Sequence, residues 1–97
     1  MTRLLSTLAV LAAALPAAAA DPIKVLIIDG QNNHNWKATT PILKAILGDA
    51  KLFAVDVATA PANPGGKAPD EAKAAYREKM AAFKPDFAKY AVVVSNY

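Results

Sequence analysis

Three short apolar runs, residues 23–28, 53–58 and 91–94, are separated by two stretches in which apolar residues recur at helical spacing. Each run is too short for a helix and long enough for a strand. Parallel strands need crossover connections, normally helices, so strand, helix, strand, helix, strand reads as the opening of a doubly wound parallel sheet. Residues 23–28, apolar apart from Lys24, suit a strand buried on both faces. Phe53, Val55 and Val57 alternate with smaller or polar residues, which predicts a less buried second strand.

The two helical stretches carry their own punctuation. Thr40-Pro41 reads as a helix start, with a hydroxyl to cap it and proline in the first helical position. A start near Trp36, with Pro41 in an early turn, is the other reading. Ile42, Leu43, Ile46 and Leu47 fall on one stripe. Pro61, Pro64, Gly65, Gly66 and Pro69 make residues 59–69 a long loop. Asp70 can cap a second helix bearing Ala72, Ala75, Tyr76, Met80 and Phe83, which Pro85 ends. The third strand is expected over residues 91–94.

The first 20 residues differ in kind. Arg3 is followed by an apolar stretch, then Pro16 and a run of alanines, and small residues at Ala18 and Ala20 suit signal peptidase. The expectation is a signal peptide over residues 1–20, cleaved before Asp21, and a periplasmic or secreted product. The apolar stretch is shorter than the roughly 20 residues of a spanning helix, so no stable membrane anchor is expected. These residues also inflate the apolar content of 55%; beyond them about half the chain is apolar, as in ordinary globular domains.

Charge and composition remove several classes of function. The chain has 97 residues with 11 Lys+Arg and 8 Asp+Glu. Its lysines are scattered and lack aromatic partners, which argues against a nucleic-acid surface. With no cysteine, disulfide frameworks, thiolate nucleophiles and cysteine-ligated metal sites are excluded within these 97 residues. No Gly-x-Gly-x-x-Gly or phosphate-loop pattern follows the first strand.

Ligands of open α/β sheets bind beyond the carboxyl ends of the strands. Two segments occupy such ends: residues 29–36, Asp-Gly-Gln-Asn-Asn-His-Asn-Trp, and the final Ser95-Asn96-Tyr97. Gln31, Asn32, Asn33 and Asn35 supply amides suited to the hydroxyls of a neutral polyhydroxylated ligand, and Trp36 can lie against the apolar face of a sugar ring. His34 is the only histidine. It can serve as general acid or base or as a metal ligand, or else simply cap the helix or pin the loop. The amides equally suit turns that satisfy their own backbone. Asp29 can meet a cation or close a turn.

The run from Lys24 to Trp36, the Thr40-Pro41-Ile42-Leu43 start, Val55-Asp56-Val57-Ala58-Thr59, the stretch from Phe83-Lys84-Pro85-Asp86-Phe87 to Tyr90, and Val92-Val93-Val94-Ser95-Asn96-Tyr97 resemble the opening of ThuA-like (trehalose-utilisation) proteins. One departure is Ala91, where that family commonly has aspartate before the valines. The resemblance implies a flavodoxin-like fold akin to class I glutamine amidotransferases, without their activity, of which the chain holds three strands and two helices. It implies a role in carbohydrate metabolism and a domain longer than residues 21–97. It also implies that His34, Asn96 and Tyr97 line the pocket.

The reading is therefore an exported ThuA-like α/β protein, truncated to the first part of its sheet. Its expected partner is a small-molecule carbohydrate, with His34 as proton-transfer group or metal ligand and Gln31, Asn32, Asn33, Trp36, Asn96 and Tyr97 shaping the pocket. The sequence names neither the metal nor the reaction. The alternatives are a non-catalytic carbohydrate-binding or assembly module, a small domain completed by forming a homo-oligomer, and a non-functional fragment.

Overall fold

The computed structural model describes residues 20–97. The expected signal peptide lies, but for Ala20, outside the described residues. Three strands, β1 (Ile23–Asp29), β2 (Phe53–Thr59) and β3 (Val92–Ser95), form one sheet in the order β2-β1-β3. Both pairings are parallel, with Ile23 opposite Phe53 and Val25 opposite Val92. Helices α1 (Trp36–Asp49) and α2 (Asp70–Ala82) make the two crossovers. This is the α/β class expected, and 2-1-3 is the strand order with which flavodoxin-like sheets begin.

The long apolar run becomes the central strand because only that position buries both faces. Val25, Leu26 and Ile27 are 2% exposed or less, whereas β2 has no buried residue. Side chains alternate across a strand, so Val25, Ile27 and Asp29 share one face, and Leu26 and Ile28 the other. Asp29 meets Thr40 of α1, which assigns the first face to α1. Phe83, directly after α2, lines a groove with Ile28 and Ser95 on the second.

Helix α1 starts at Trp36, the earlier of the two starts the sequence allows, rather than at Thr40-Pro41. The Asn35 side chain accepts from Ala38 N and caps it, so Thr40 is not a cap and Pro41 stands inside the helix. Pro41 simply has no proton for the carbonyl one turn back. The expected apolar stripe also divides: Leu43 and Leu47 are half-buried, whereas Ile42 and Ile46 are 58% and 61% exposed. Asp70 is likewise the first residue of α2 rather than its cap, which falls to Pro69 without a side-chain bond. With Glu71 it places negative charge at the positive end of the helix. β3 runs one residue later than expected, and both faces of it are open, with Val92 46% and Val93 43% exposed. Among the described residues no helix is long and apolar enough to cross a membrane.

Gly30 fits where no side chain would. It has φ +108°, and a Cβ there would lie 2.8 Å from both the backbone N and O of Ala60. That close approach lets Ala60 N donate to Asp29 O at 2.9 Å, joining the ends of β1 and β2. Backbone forced into such a region costs of order 1–3 kcal/mol before the clash is counted. Gly30→Ala should therefore lower the urea midpoint clearly, whereas Gly66→Ala, where a Cβ meets nothing within 4 Å, should not.

Tyr90 binds across the sheet. Ala91 N donates to Lys24 O of β1, while the Tyr90 hydroxyl donates to Asp56 Oδ2 of β2 at 2.8 Å. Since β1 lies between β2 and β3, this side chain reaches from the start of β3 past β1 to β2, one strand beyond the immediate neighbour. Its hydrogen bond to the Asp56 carboxylate, then partial desolvation, then the charges of Asp56 and Asp86, raise its hydroxyl above the ordinary 10.0. The neutral hydroxyl is thus favoured by folding. Its contribution is complete below pH 10 and is lost as pH rises through the raised value. Tyr90→Phe should remove that component of the alkaline fall in stability, measured as melting temperature against pH.

Candidate functional site

The carboxyl ends of β1 and β3 are joined by side chains rather than by apolar packing. Asp29 ends β1 and is 2% exposed. Its Oδ2 accepts from Thr40 Oγ1 at 2.7 Å. Thr40 Oγ1 in turn accepts from Asn96 Nδ2 at 2.9 Å, and the same amide donates to Thr39 Oγ1 at 2.9 Å. Asn96 N meanwhile donates to Ile28 O, continuing the β1–β3 ladder beyond the last paired residues.

Asn32 closes the circuit. Its Nδ2 donates to Asn96 O at 2.9 Å while its Oδ1 accepts from His34 N at 2.9 Å, so one side chain shapes the loop and fastens it to β3. Asp29, Thr40, Asn96 and Asn32 thus link β1, α1, β3 and the β1–α1 loop. Asp29 Oδ1 is the exception, buried and, among the described residues, without a hydrogen-bond partner.

Gln31 turns the other way. Its Nε2 donates to Pro61 O and to the Tyr76 hydroxyl, each at 2.7 Å, tying the loop to the segment after β2 and to α2. Trp36 is half-buried at the start of α1, with Lys37 Nζ 5.6 Å from its ring centroid. Asn33 and His34 are exposed, and among the described residues neither side chain has a hydrogen-bond partner.

The seven residues picked from the sequence therefore divide. Asn32 and Asn96 bond to each other, Trp36 opens the adjoining helix, and His34 and Asn33 project from the loop between them. Gln31 anchors the far side of the loop. Tyr97 leaves the corner: with Ile28, Phe83, Pro85, Phe87 and Ser95 it lines a groove of about 580 Å³ on the opposite face of the sheet. Neighbouring residues of an extended chain face opposite ways, which is why Asn96 and Tyr97 part.

Sequence reasoning missed Thr39 and Thr40 as site residues, since Thr-Pro was read as a cap. The available signal was an acidic residue ending an apolar strand, which must find a donor once buried. Among the described residues no three His, Asp or Glu side chains converge as a metal site would require.

An open parallel α/β sheet with a polar corner beyond its strand ends is the class this geometry defines. Neither a family model nor a curated protein matches the chain. A solved structure does: over 79% of this chain it is similar, at 36% identity and a TM-score of 0.62, to the crystal structure described as that of a ThuA-like protein from Parabacteroides merdae ATCC 43184. The chain spans 23% of that protein's length. The likeness supports the ThuA-like reading of the sequence.

Removing one partner of a buried, charged hydrogen bond costs about 1–3 kcal/mol. Thr40→Val keeps the shape of the side chain but deprives the Asp29 carboxylate of its only donor among the described residues, and Asn96 of an acceptor. It should lower stability by about 2 kcal/mol in urea unfolding, while Thr40→Ser should retain most of the wild-type value.

Proposed function

We propose that this chain forms part of an exported ThuA-like protein of carbohydrate utilisation, and that its polar corner binds a sugar or sugar derivative. The observation that carries the reading is the fastening of Asn32 and Asn96 to one another between the ends of β1 and β3, beside an indole at the start of α1. Amides held in place supply orientation, and an aromatic face supplies apolar contact, the combination that small polar ligands require. The open faces of β3 and the share of the longer similar protein that is matched both support a chain whose sheet is covered by further structure.

Within that reading His34 serves as proton-transfer group or as a metal ligand, projecting from the loop that Asn32 shapes. A second reading is a non-catalytic carbohydrate-binding module. The absence of a side-chain partner for the His34 ring among the described residues favours it, because a general base is ordinarily oriented by a third group.

Trp36 is the only tryptophan, so its emission reports on the corner directly. Titration with a panel of mono- and disaccharides should change Trp36 fluorescence saturably, and Trp36→Ala should weaken calorimetric binding by about tenfold. In the catalytic reading His34→Ala abolishes turnover and spares binding. In the binding-module reading no product forms on prolonged incubation and His34→Ala is silent. A flat response to every saccharide would remove the proposal.

A further inference from the structure

The two side-chain amides at the strand ends are not free to present either group, because obligate partners decide which way each faces. Thr40 Oγ1 has one proton, which is given to Asp29 Oδ2. Thr39 Oγ1 likewise gives its proton back to the helix, to Asn35 O at 3.3 Å or Trp36 O at 3.5 Å. Both hydroxyls can then only accept, so the group of Asn96 that meets them must be the NH₂, and both of its hydrogens are used. What remains is the Oδ1 carbonyl. Gln31 is settled by the same logic, since Pro61 O accepts only and the Tyr76 hydroxyl takes the second Nε2 hydrogen. Its Oε1 is left over as well.

We infer that Asn96 is a specificity-determining residue: the Asp29–Thr40 pair holds its amide nitrogen inward, so the corner offers a carbonyl oxygen that accepts hydrogen bonds from an uncharged ligand and repels phosphate or carboxylate. The buried Asp29 carboxylate, whose Oδ1 has no hydrogen-bond partner among the described residues, places negative charge behind the corner and acts in the same direction. Lys37 is the only lysine or arginine between Gly30 and Leu43, and it lies over the Trp36 ring. The inference rests on the proposed binding of a sugar and adds to it the charge of that sugar.

The test compares glucose with glucose 6-phosphate and glucuronate in Trp36 fluorescence titrations of the full chain. The neutral sugar should bind at least tenfold more tightly than either anion. Thr40→Val should reduce that ratio severalfold, because the Thr39 hydroxyl alone then holds the Asn96 amide, and Thr40→Ser should restore it. A purely structural role for Thr40 would weaken all three ligands alike. Should Thr40→Val fail to fold, side-chain NMR of the wild type still decides: both Asn96 Nδ2 hydrogens should exchange slowly with solvent. Equal or tighter binding of the anions, or rapid exchange of those hydrogens, overturns the inference and leaves sugar binding standing. No binding by any of the three, nor by the wider saccharide panel, overturns both.

Discussion

A carboxylate buried at the end of the central strand is the constraint around which this structure is arranged. Asp29 sits where an apolar run would otherwise continue, on the face that α1 covers, and an ionised group there is tolerated only with a hydrogen-bond donor. Thr40 supplies one, and because a hydroxyl that donates can still accept, it draws in Asn96 from β3. One buried charge thereby sets the seating of a helix and the path of a strand end. The 2.8 Å between a Gly30 Cβ and the Ala60 backbone shows the same economy on the β2 side, where the chain leaves β1 with no room for a side chain.

Most of the fold could be read from the amino-acid pattern, and for identifiable reasons. Residues 23–28 are apolar on both faces and became the central strand; Phe53, Val55 and Val57 alternate and became a half-exposed edge. Those are properties of single strands, visible locally. The errors came where two readings of one residue compete. Thr40-Pro41 satisfies the rule for a helix start, yet Asn35 offers an equally good cap six residues before the proline and β1 needs a hydroxyl from position 40. The second demand is non-local, eleven residues back across a layer boundary, and nothing in the helical stretch announces it. Ile42 and Ile46 followed the apolar stripe and stand exposed for a similar reason: what a stripe faces is decided by the rest of the fold.

That the loop after β1 and Asn96 meet at one end of the sheet was legible, whereas the side chains that join there were not: Thr39 and Thr40 went unread and Tyr97 turns away. An amide-rich loop after the first strand and an asparagine after the third could be placed at one end of the sheet from topology alone. Which amides would meet could not. Asn32 reaches β3 while its neighbour Gln31 reaches α2, because successive side chains of a turning loop diverge. Tyr97 was grouped with Asn96 by adjacency in the sequence, whereas the alternation of extended chain sends it across the sheet to Phe83 and Phe87.

Apolar packing around the strand ends is thin, since both faces of β3 and much of α1 are open, and the hydrogen-bonded circuit therefore carries a larger share of what holds α1 to β3. That circuit is also what aims the Asn96 carbonyl. On the proposed reading, stability and recognition draw on the same few bonds and cannot be tuned separately: a substitution that loosens Thr40 would change both the seating of the helix and the group shown to a sugar. The converse follows from linkage, because anything that binds only the assembled corner must stabilise it, by an amount that grows with the logarithm of its concentration above Kd. A polar site of this construction is most firmly organised when it is filled.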